Sequence, residues 1–250
     1  MQQLRFAIFA KRMSNPKTLD IILPCYNPRS GWEKSLSESL SKIKSMLGED
    51  VLESIILVND GSTTGISENE IAFLLKENPE LKLIEYKQNK GKGFAVRKGV
   101  KSGEADLQIY TDVDIPYVEE SVFQFYTILR DDVADVVIAS RGDSYYDSLS
   151  WFRRVLSKSL RGMNGLLFGL KIKDTQGGLK GFNQAGREAF LNTTVNQYLF
   201  DLEFIQKVSN SNLRLKGVDV ELKPDVILPS PSITVLLKEL RNFIQLLVRK

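Results

Sequence analysis

The 250-residue chain has no histidine and one cysteine, Cys25. Without histidine there is no Ser-His or Cys-His nucleophilic pair and no histidine-ligated zinc. Carboxylates, lysine, arginine and an oxygen-preferring cation are left to do any chemistry. A lone cysteine excludes an internal disulfide, which suits a reducing, cytoplasmic compartment. No run reaches the roughly 18–20 apolar residues that a membrane-spanning helix needs, so membrane contact is expected to be peripheral. A strong charge of one sign is also missing. The 34 Lys plus Arg against 31 Asp plus Glu leave +3, which excludes a general nucleic-acid binder. Internal repeats, low-complexity tracts and linkers are absent as well.

What the chain does have is an apolar content of 42%, enough for the core of one α/β domain. Short β-branched runs alternate with amphipathic stretches, the pattern of strands and crossover helices in a mostly parallel sheet flanked by helices. Strands are expected at Leu19–Leu23, Ser54–Val58, Lys82–Tyr86 and Leu107–Thr111, with helices at Trp32–Leu47, Glu68–Lys76 and Gly93–Lys101 between them. The second half is less regular. It offers a strand near Val133–Ala139, a helical stretch near Leu149–Phe168 and a glycine-rich segment, Asp174–Lys180. Helical patterns follow around Gln184–Leu191 and Phe200–Ser209, then a strand near Leu213–Glu221 and a Pro-Ser turn at 229–232. In the opening segment the apolar Phe6–Ala10 precedes Lys11 and Arg12, the reverse of a secretory signal.

In an open α/β sheet, ligands gather beyond the carboxyl ends of the strands. Four expected strand ends carry unusual polar residues: Pro24-Cys25-Tyr26-Asn27, Asn59-Asp60-Gly61-Ser62, Gln88–Gly93 and Asp112-Val113-Asp114. Asp112 and Asp114, two apart in extended chain, share one face and can hold a divalent ion such as Mg2+ or Mn2+ that bridges to a diphosphate; aspartates here can equally cap a helix or make a turn. Gly91-Lys92-Gly93 can bring backbone N–H groups to a phosphate, with Lys90, Lys92 and Arg97 adding charge, or can be a glycine turn into a basic helix. Asp60 suits a nucleobase or an Asx turn, and Tyr26 base stacking or packing. Arg141 and Lys180 follow apolar segments, where they either line the cleft or are surface charge. Asp201 or Glu203, in an apolar setting, needs a partner or a task, with an N-cap role as the alternative for Asp201. The closing segment 233–250 has apolar residues at helical spacing with basic residues between, which fits a core helix or one lying on an anionic membrane.

Taken together, Leu-Pro-Cys-Tyr-Asn (23–27), Val-Asn-Asp-Gly-Ser-Thr (58–63), Asn-Lys-Gly-Lys-Gly-Phe-Ala-Val-Arg-Lys-Gly (89–99) and Thr-Asp-Val-Asp (111–114) resemble family-2 glycosyltransferases of the GT-A fold. Ile-Ala-Ser-Arg (138–141), Asp-Thr-Gln-Gly-Gly-Leu-Lys (174–180) and Phe-Asp-Leu-Glu (200–203) are similar to the dolichyl- and polyprenyl-phosphate glucosyltransferase branch. The resemblance implies an N-terminal extension (1–18) and one GT-A domain (19–250). That domain would comprise a nucleotide-binding half (19–115), an acceptor half (116–232) and an amphipathic C-terminal helix (233–250). It implies transfer, with inversion, from a nucleoside-diphosphate sugar, UDP-linked, to a polyprenyl-phosphate lipid at the cytoplasmic face of a membrane, with Mg2+ or Mn2+ as cofactor. By resemblance Pro24, Tyr26, Asn27 and Asp60 bind the nucleoside, and Asp112 with Asp114 the metal-diphosphate. Arg141, Asp174, Gln176 and Lys180 address the donor sugar and acceptor phosphate. A saccharide hydroxyl as acceptor, with Asp174 or Asp201 as base, is the alternative, and a non-catalytic nucleotide-binding module is a third reading. The relatives' Gly-Ser-Lys element before the last helix is replaced here by Pro229-Ser230-Pro231-Ser232.

Overall fold

A computed structural model describes residues 16–48, 50–141 and 177–224. In chain order they form β1 (Leu19–Cys25), α1 (Trp32–Leu47), β2 (Leu52–Asn59), α2 (Glu68–Glu77), β3 (Leu81–Glu85), α3 (Lys92–Ser102) and β4 (Leu107–Tyr110). These are followed by α4 (Glu120–Arg130), β5 (Val136–Arg141), β6 (Lys180–Asn183), α5 (Gln184–Leu191), α6 (Phe200–Ser209) and β7 (Leu215–Val220). The helices expected near 149–168 and over 233–250, together with Asp174 and Gln176, lie outside the described residues.

The strands make one seven-stranded sheet in the order β3-β2-β1-β4-β6-β5-β7. Pairing is parallel for β1 with β2 and β4, for β2 with β3 and for β5 with β7; β6 runs antiparallel to both its neighbours. The reversal puts the start of β6, where Lys180 pairs with Tyr110 and Ile138, at the same sheet edge as the carboxyl ends of the parallel strands.

Side chains alternate along each strand between two cores. Leu19, Ile21 and Leu23 of β1 pack with Leu36, Leu40, Leu74, Phe125 and Leu129 from α1, α2 and α4. Ile22, Ile56 and Tyr110 pack with Val96, Val100, Phe190 and Phe204 from α3, α5 and α6. The second core is aromatic: Tyr110, Phe182, Phe190, Phe200 and Phe204 have neighbouring ring centroids 5.0–6.3 Å apart. Full burial of each such side chain contributes about 1.5–3 kcal/mol, so the sheet edge is held rigidly on both faces.

Three elements depart from the sequence-based expectation. α4 carries Val122, Phe125 and Leu129 at helical spacing, but aromatic and β-branched residues that favour strands fill it. β6 reads Lys-Gly-Phe-Asn and has no strand-forming pattern of its own; it becomes a strand because β4 and β5 offer it partners on both sides. β5 starts at Val136 rather than Val133, because Asp132 takes a left-handed turn (φ 55°) after α4. No helix among the described residues is long and apolar enough to cross a membrane.

Candidate active site

Asp112 and Asp114 stand just beyond β4, at the edge where the parallel strands end. Asp112 is partly exposed and forms an ion pair with the Lys92 ammonium, which reaches it from the first residue of α3. Partial burial alone would lower the Lys92 pKa; the charges of Asp112 and, further off, Asp201 more than offset this and hold it above its ordinary value. Asp114 is open to solvent on one side, yet surrounding protein and then the charge of Asp112 raise its carboxyl above the usual range. The same neighbourhood silences Cys25. Burial, with Asp114 adding to it, pushes its thiol up to about 12, so it is an inert packing residue.

The β1 and β2 loops are tied to each other. Asn27, at φ 46°, accepts from the Thr63 and Thr64 amides at 2.8 and 3.2 Å, and its own N–H donates to Ser62 Oγ at 2.9 Å. Pro24 is buried in β1 beyond Ile22, where pairing with β4 stops, so its missing N–H costs no ladder bond on that side. Tyr26, by contrast, is 51% exposed, which disfavours the packing reading and leaves its ring available to a ligand.

Asp60 is 3% exposed and builds the neighbouring loop. Its carboxylate accepts from Lys90 N–H (2.8 Å), Gly91 N–H (2.9 Å) and Asn89 Nδ2 (2.9 Å). The Asx turn expected of Asp60 is made by Asn59, whose Oδ1 accepts from Ser62 N–H at 2.9 Å. Gly61, at φ 68°, lets the two loops touch: a Cβ there would sit 2.6 Å from the Asn89 nitrogen.

At the amino end of α3, Gly93 N–H and Phe94 N–H both donate to the Asn196 carbonyl, at 2.8 and 3.3 Å. Gly93 is small because the segment before α6 lies on it: a Cβ would meet Val195 O at 2.5 Å and Phe200 Cβ at 2.7 Å. Arg97 is likewise committed, donating to Thr193 Oγ1 at 3.1 Å and Val195 O at 2.7 Å. Glu203 braces this segment from the other side by accepting from the Thr194 and Val195 amides, both at 2.8 Å. Lys90 caps Tyr86 and Phe94 as a cation over their rings. Of the basic groups expected here, Lys92 is the one that points to the paired aspartates.

Lys180 is not surface charge. It is fully buried, with its Nζ 2.9 Å from Asp201 Oδ1 and donating to Gly177 O at 2.6 Å. The Tyr110 hydroxyl donates to the same Asp201 oxygen at 2.5 Å; burial and then that carboxylate hold the phenol well above its ordinary pKa. Asp201 is therefore not an N-cap, a position taken by Leu199; it is the counter-ion of a buried lysine. Arg141 closes β5 beside Val220 of β7, its side chain lying outside what is described. Tyr117, which the sequence reading missed, accepts from Gly178 N–H at 3.0 Å. No local sequence signal marks it.

The donor set at the sheet edge fits a hard divalent cation. Asp112 and Asp114 repel one another, as the raised Asp114 carboxyl reflects, and a cation between them relieves that repulsion. Among the described residues no third His, Cys, Asp or Glu completes a cage around a metal ion. Such a half-set suits Mg2+ or Mn2+, ions that take oxygen ligands and fill their remaining positions with water and phosphate oxygens.

The glycosyl transferase family 2 profile matches residues 20–190. The chain is 28% identical over 216 residues to the dolichyl-phosphate beta-glucosyltransferase of Drosophila melanogaster, covering 81% of this chain and 66% of that one. It is 26% identical over 204 residues to the Homo sapiens protein of the same name, covering 77% and 63%. It thus spans slightly less than two thirds of the length of these relatives. Among solved structures, glucosyl-3-phosphoglycerate synthase of M. tuberculosis superposes with a TM-score of 0.65 at 16% identity, over 97% of this chain and 83% of that one. A complex of the same enzyme with Mn2+, UDP and glucosyl-3-phosphoglycerate superposes at 0.60, also at 16% identity, over 93% of this chain and 77% of that one. The profile match over residues 20–190 and these superpositions show that the fold is GT-A and that the chain belongs to glycosyl transferase family 2.

Proposed function

We propose that the chain is an inverting, divalent-metal-dependent glycosyltransferase that moves a hexose from a nucleoside-diphosphate sugar, UDP-linked, to a polyprenyl- or dolichyl-phosphate lipid. The observation that carries this reading is the meeting of Asp112, Asp114 and Lys92 at the end of β4. Similarity to dolichyl-phosphate beta-glucosyltransferases supports the acceptor class, and the Mn2+ and UDP held by the glucosyl-3-phosphoglycerate synthase support the donor class.

Pro24, Asn27 and Asp60 shape the nucleoside pocket through the loops they fix, and exposed Tyr26 supplies a face for the base. A divalent ion on Asp112 and Asp114 would act as a Lewis acid on the diphosphate and stabilise the departing nucleotide. Lys92, at the start of α3 beside Asp112, would hold a phosphate oxygen of the donor with its ammonium. An oxygen of the acceptor phosphate attacks the anomeric carbon from the face opposite the diphosphate. The new C–O bond forms as the bond to the diphosphate oxygen breaks, which inverts the configuration. A lipid monophosphate is already anionic near neutral pH, so no general base is required, in keeping with a chain that has no histidine. Arg141, Asp174 and Gln176 address the sugar and the acceptor phosphate, and the segment 233–250 makes the peripheral contact with the membrane.

The test is release of nucleotide and transfer of sugar from a panel of UDP- and GDP-sugars, with Mn2+ or Mg2+ and with or without a short polyprenyl phosphate. Release that needs metal, rises with the lipid phosphate and disappears in Asp114→Ala is the expected result. Metal-dependent release indifferent to the lipid would overturn the acceptor assignment alone. Full activity of Asp114→Ala would overturn the donor site.

A further inference from the structure

A lysine removed from water costs several kcal/mol unless its charge is met in full. Lys180 meets that demand with Asp201, whose carboxylate is itself fixed by the Tyr110 hydroxyl, and with the carbonyl of Gly177. The last contact reaches into the site. Gly177 and Gly178 lie between β5 and the metal-binding loop: a Cβ on Gly177 would fall 2.4 Å from Ala139 O, and one on Gly178 would fall 2.6 Å from Asp112 Oδ2. Gly178 N–H is held in addition by the Tyr117 hydroxyl at 3.0 Å. The turn is thus gripped from below by Lys180, from one side by β5 and from the other by Tyr117, and its bare Cα edge abuts the Asp112 carboxylate.

We propose that Lys180 and Asp201 are positioning residues for the metal–nucleotide site: the buried pair fixes the Gly177–Gly178 turn, and the turn sets where the Asp112 carboxylate stands. In this assignment Lys180 does not touch the acceptor phosphate, the role its place in the motif implies. The inference rests on the reading of Asp112 as a ligand of the metal–diphosphate. Lys180→Met alone strands Asp201 as a buried unpaired charge, whereas Lys180→Met with Asp201→Asn removes both charges together, which folds tolerate far better. Tyr110→Phe is milder still, deleting one donor to Asp201.

Mn2+ binding at fixed UDP, read by electron paramagnetic resonance, separates the two roles. In the folded double variant the Mn2+–UDP affinity falls by about tenfold or more, the usual consequence of losing an outer support of a metal ligand, and Tyr110→Phe gives a smaller fall. The KM for a short polyprenyl phosphate stays at the wild-type value. A purely structural pair would lower the melting temperature and leave the affinity of the folded protein unchanged, which would overturn the inference. So would a rise in acceptor KM with Mn2+–UDP affinity intact, the signature of direct phosphate contact. Wild-type protein that binds no Mn2+ with UDP overturns the donor reading and this inference together. Wild-type binding with unaltered variants overturns this inference alone.

Discussion

Two aspartates are buried against the face of the sheet covered by α3, and they are held in opposite ways. At the amino end of β1, Asp20 takes three neutral donors: Ser54 Oγ at 2.5 Å, Ala105 N–H at 3.0 Å and Gln108 Nε2 at 3.2 Å. At the carboxyl end, one inward-facing position further along β4, Asp201 meets the Lys180 ammonium and the Tyr110 hydroxyl. Neutral donors that are themselves part of the backbone or of packed side chains make a permanent joint. Paired charges make a joint that is fixed where it is buried, as here, and exchangeable where it is partly exposed, as in the nearby Lys92 and Asp112. One strand therefore has a closed, static end and an end whose electrostatics answer to what binds.

The sharpest way to break this comparison is Asp20→Ala. It leaves a buried hydroxyl and an amide N–H without their acceptor, while Gln108 Nε2 keeps the Val100 carbonyl, and at about 1–3 kcal/mol for each orphaned group the unfolding free energy should drop by about 2 kcal/mol or more in urea denaturation. Metal and nucleotide affinity of the protein that stays folded should not change. Next in size is Gly93→Ala, whose methyl group has no room against Val195 O and Phe200. Overpacking of this kind costs about 1–3 kcal/mol, and a variant as stable as wild type would show that the segment before α6 yields freely.

At the responsive end, Lys92→Met should do little to stability and something specific to binding. Freeing Asp112 from its ammonium should raise Mn2+ affinity without nucleotide by about threefold to fivefold, the worth of a half-exposed ion pair, and weaken donor binding. Calorimetry with and without UDP reads both. Smallest is the effect at the far edge, where Arg214 donates through Nε and N–H to Asp135 at 3.0 and 2.8 Å and, with Asn183, holds that carboxyl below its usual range. A depressed folded pKa stabilises above the unfolded value and loses that effect as pH falls. The melting-temperature gap between wild type and Arg214→Ala should therefore be full at neutral pH and close below about pH 4.

Much of this was legible in the sequence where a local pattern carries the information. β1 to β4 and α1 to α3 lie within two residues of where period and strand-end punctuation put them, because alternating Ile and Leu and the Gly, Asn and Asp turns act locally. β6 was not legible, since Lys-Gly-Phe-Asn is a strand by virtue of its neighbours. The site divides the same way. Asp112 and Asp114 announce themselves two apart after an apolar run, whereas the union of Lys180 with Asp201, or of Asp60 with the Asn89–Gly91 loop, is made by the sheet and spans 21 and about 30 residues of chain. Gly93 is ambiguous for a related reason: a glycine that opens a helix looks the same in sequence whether it admits a phosphate or a carbonyl.

That carbonyl has a consequence for how a donor would be sensed. With the Gly93 and Phe94 amides satisfied by Asn196, phosphate recognition at the proposed donor site would lean on the Lys92 ammonium and on the cation. Unlike buried amide dipoles, these are screened by dissolved ions over about 8–10 Å. Donor affinity in this chain should therefore track ionic strength and free divalent ion closely, so that the salt and metal content of its surroundings would set how far the site is filled at a given sugar-nucleotide concentration.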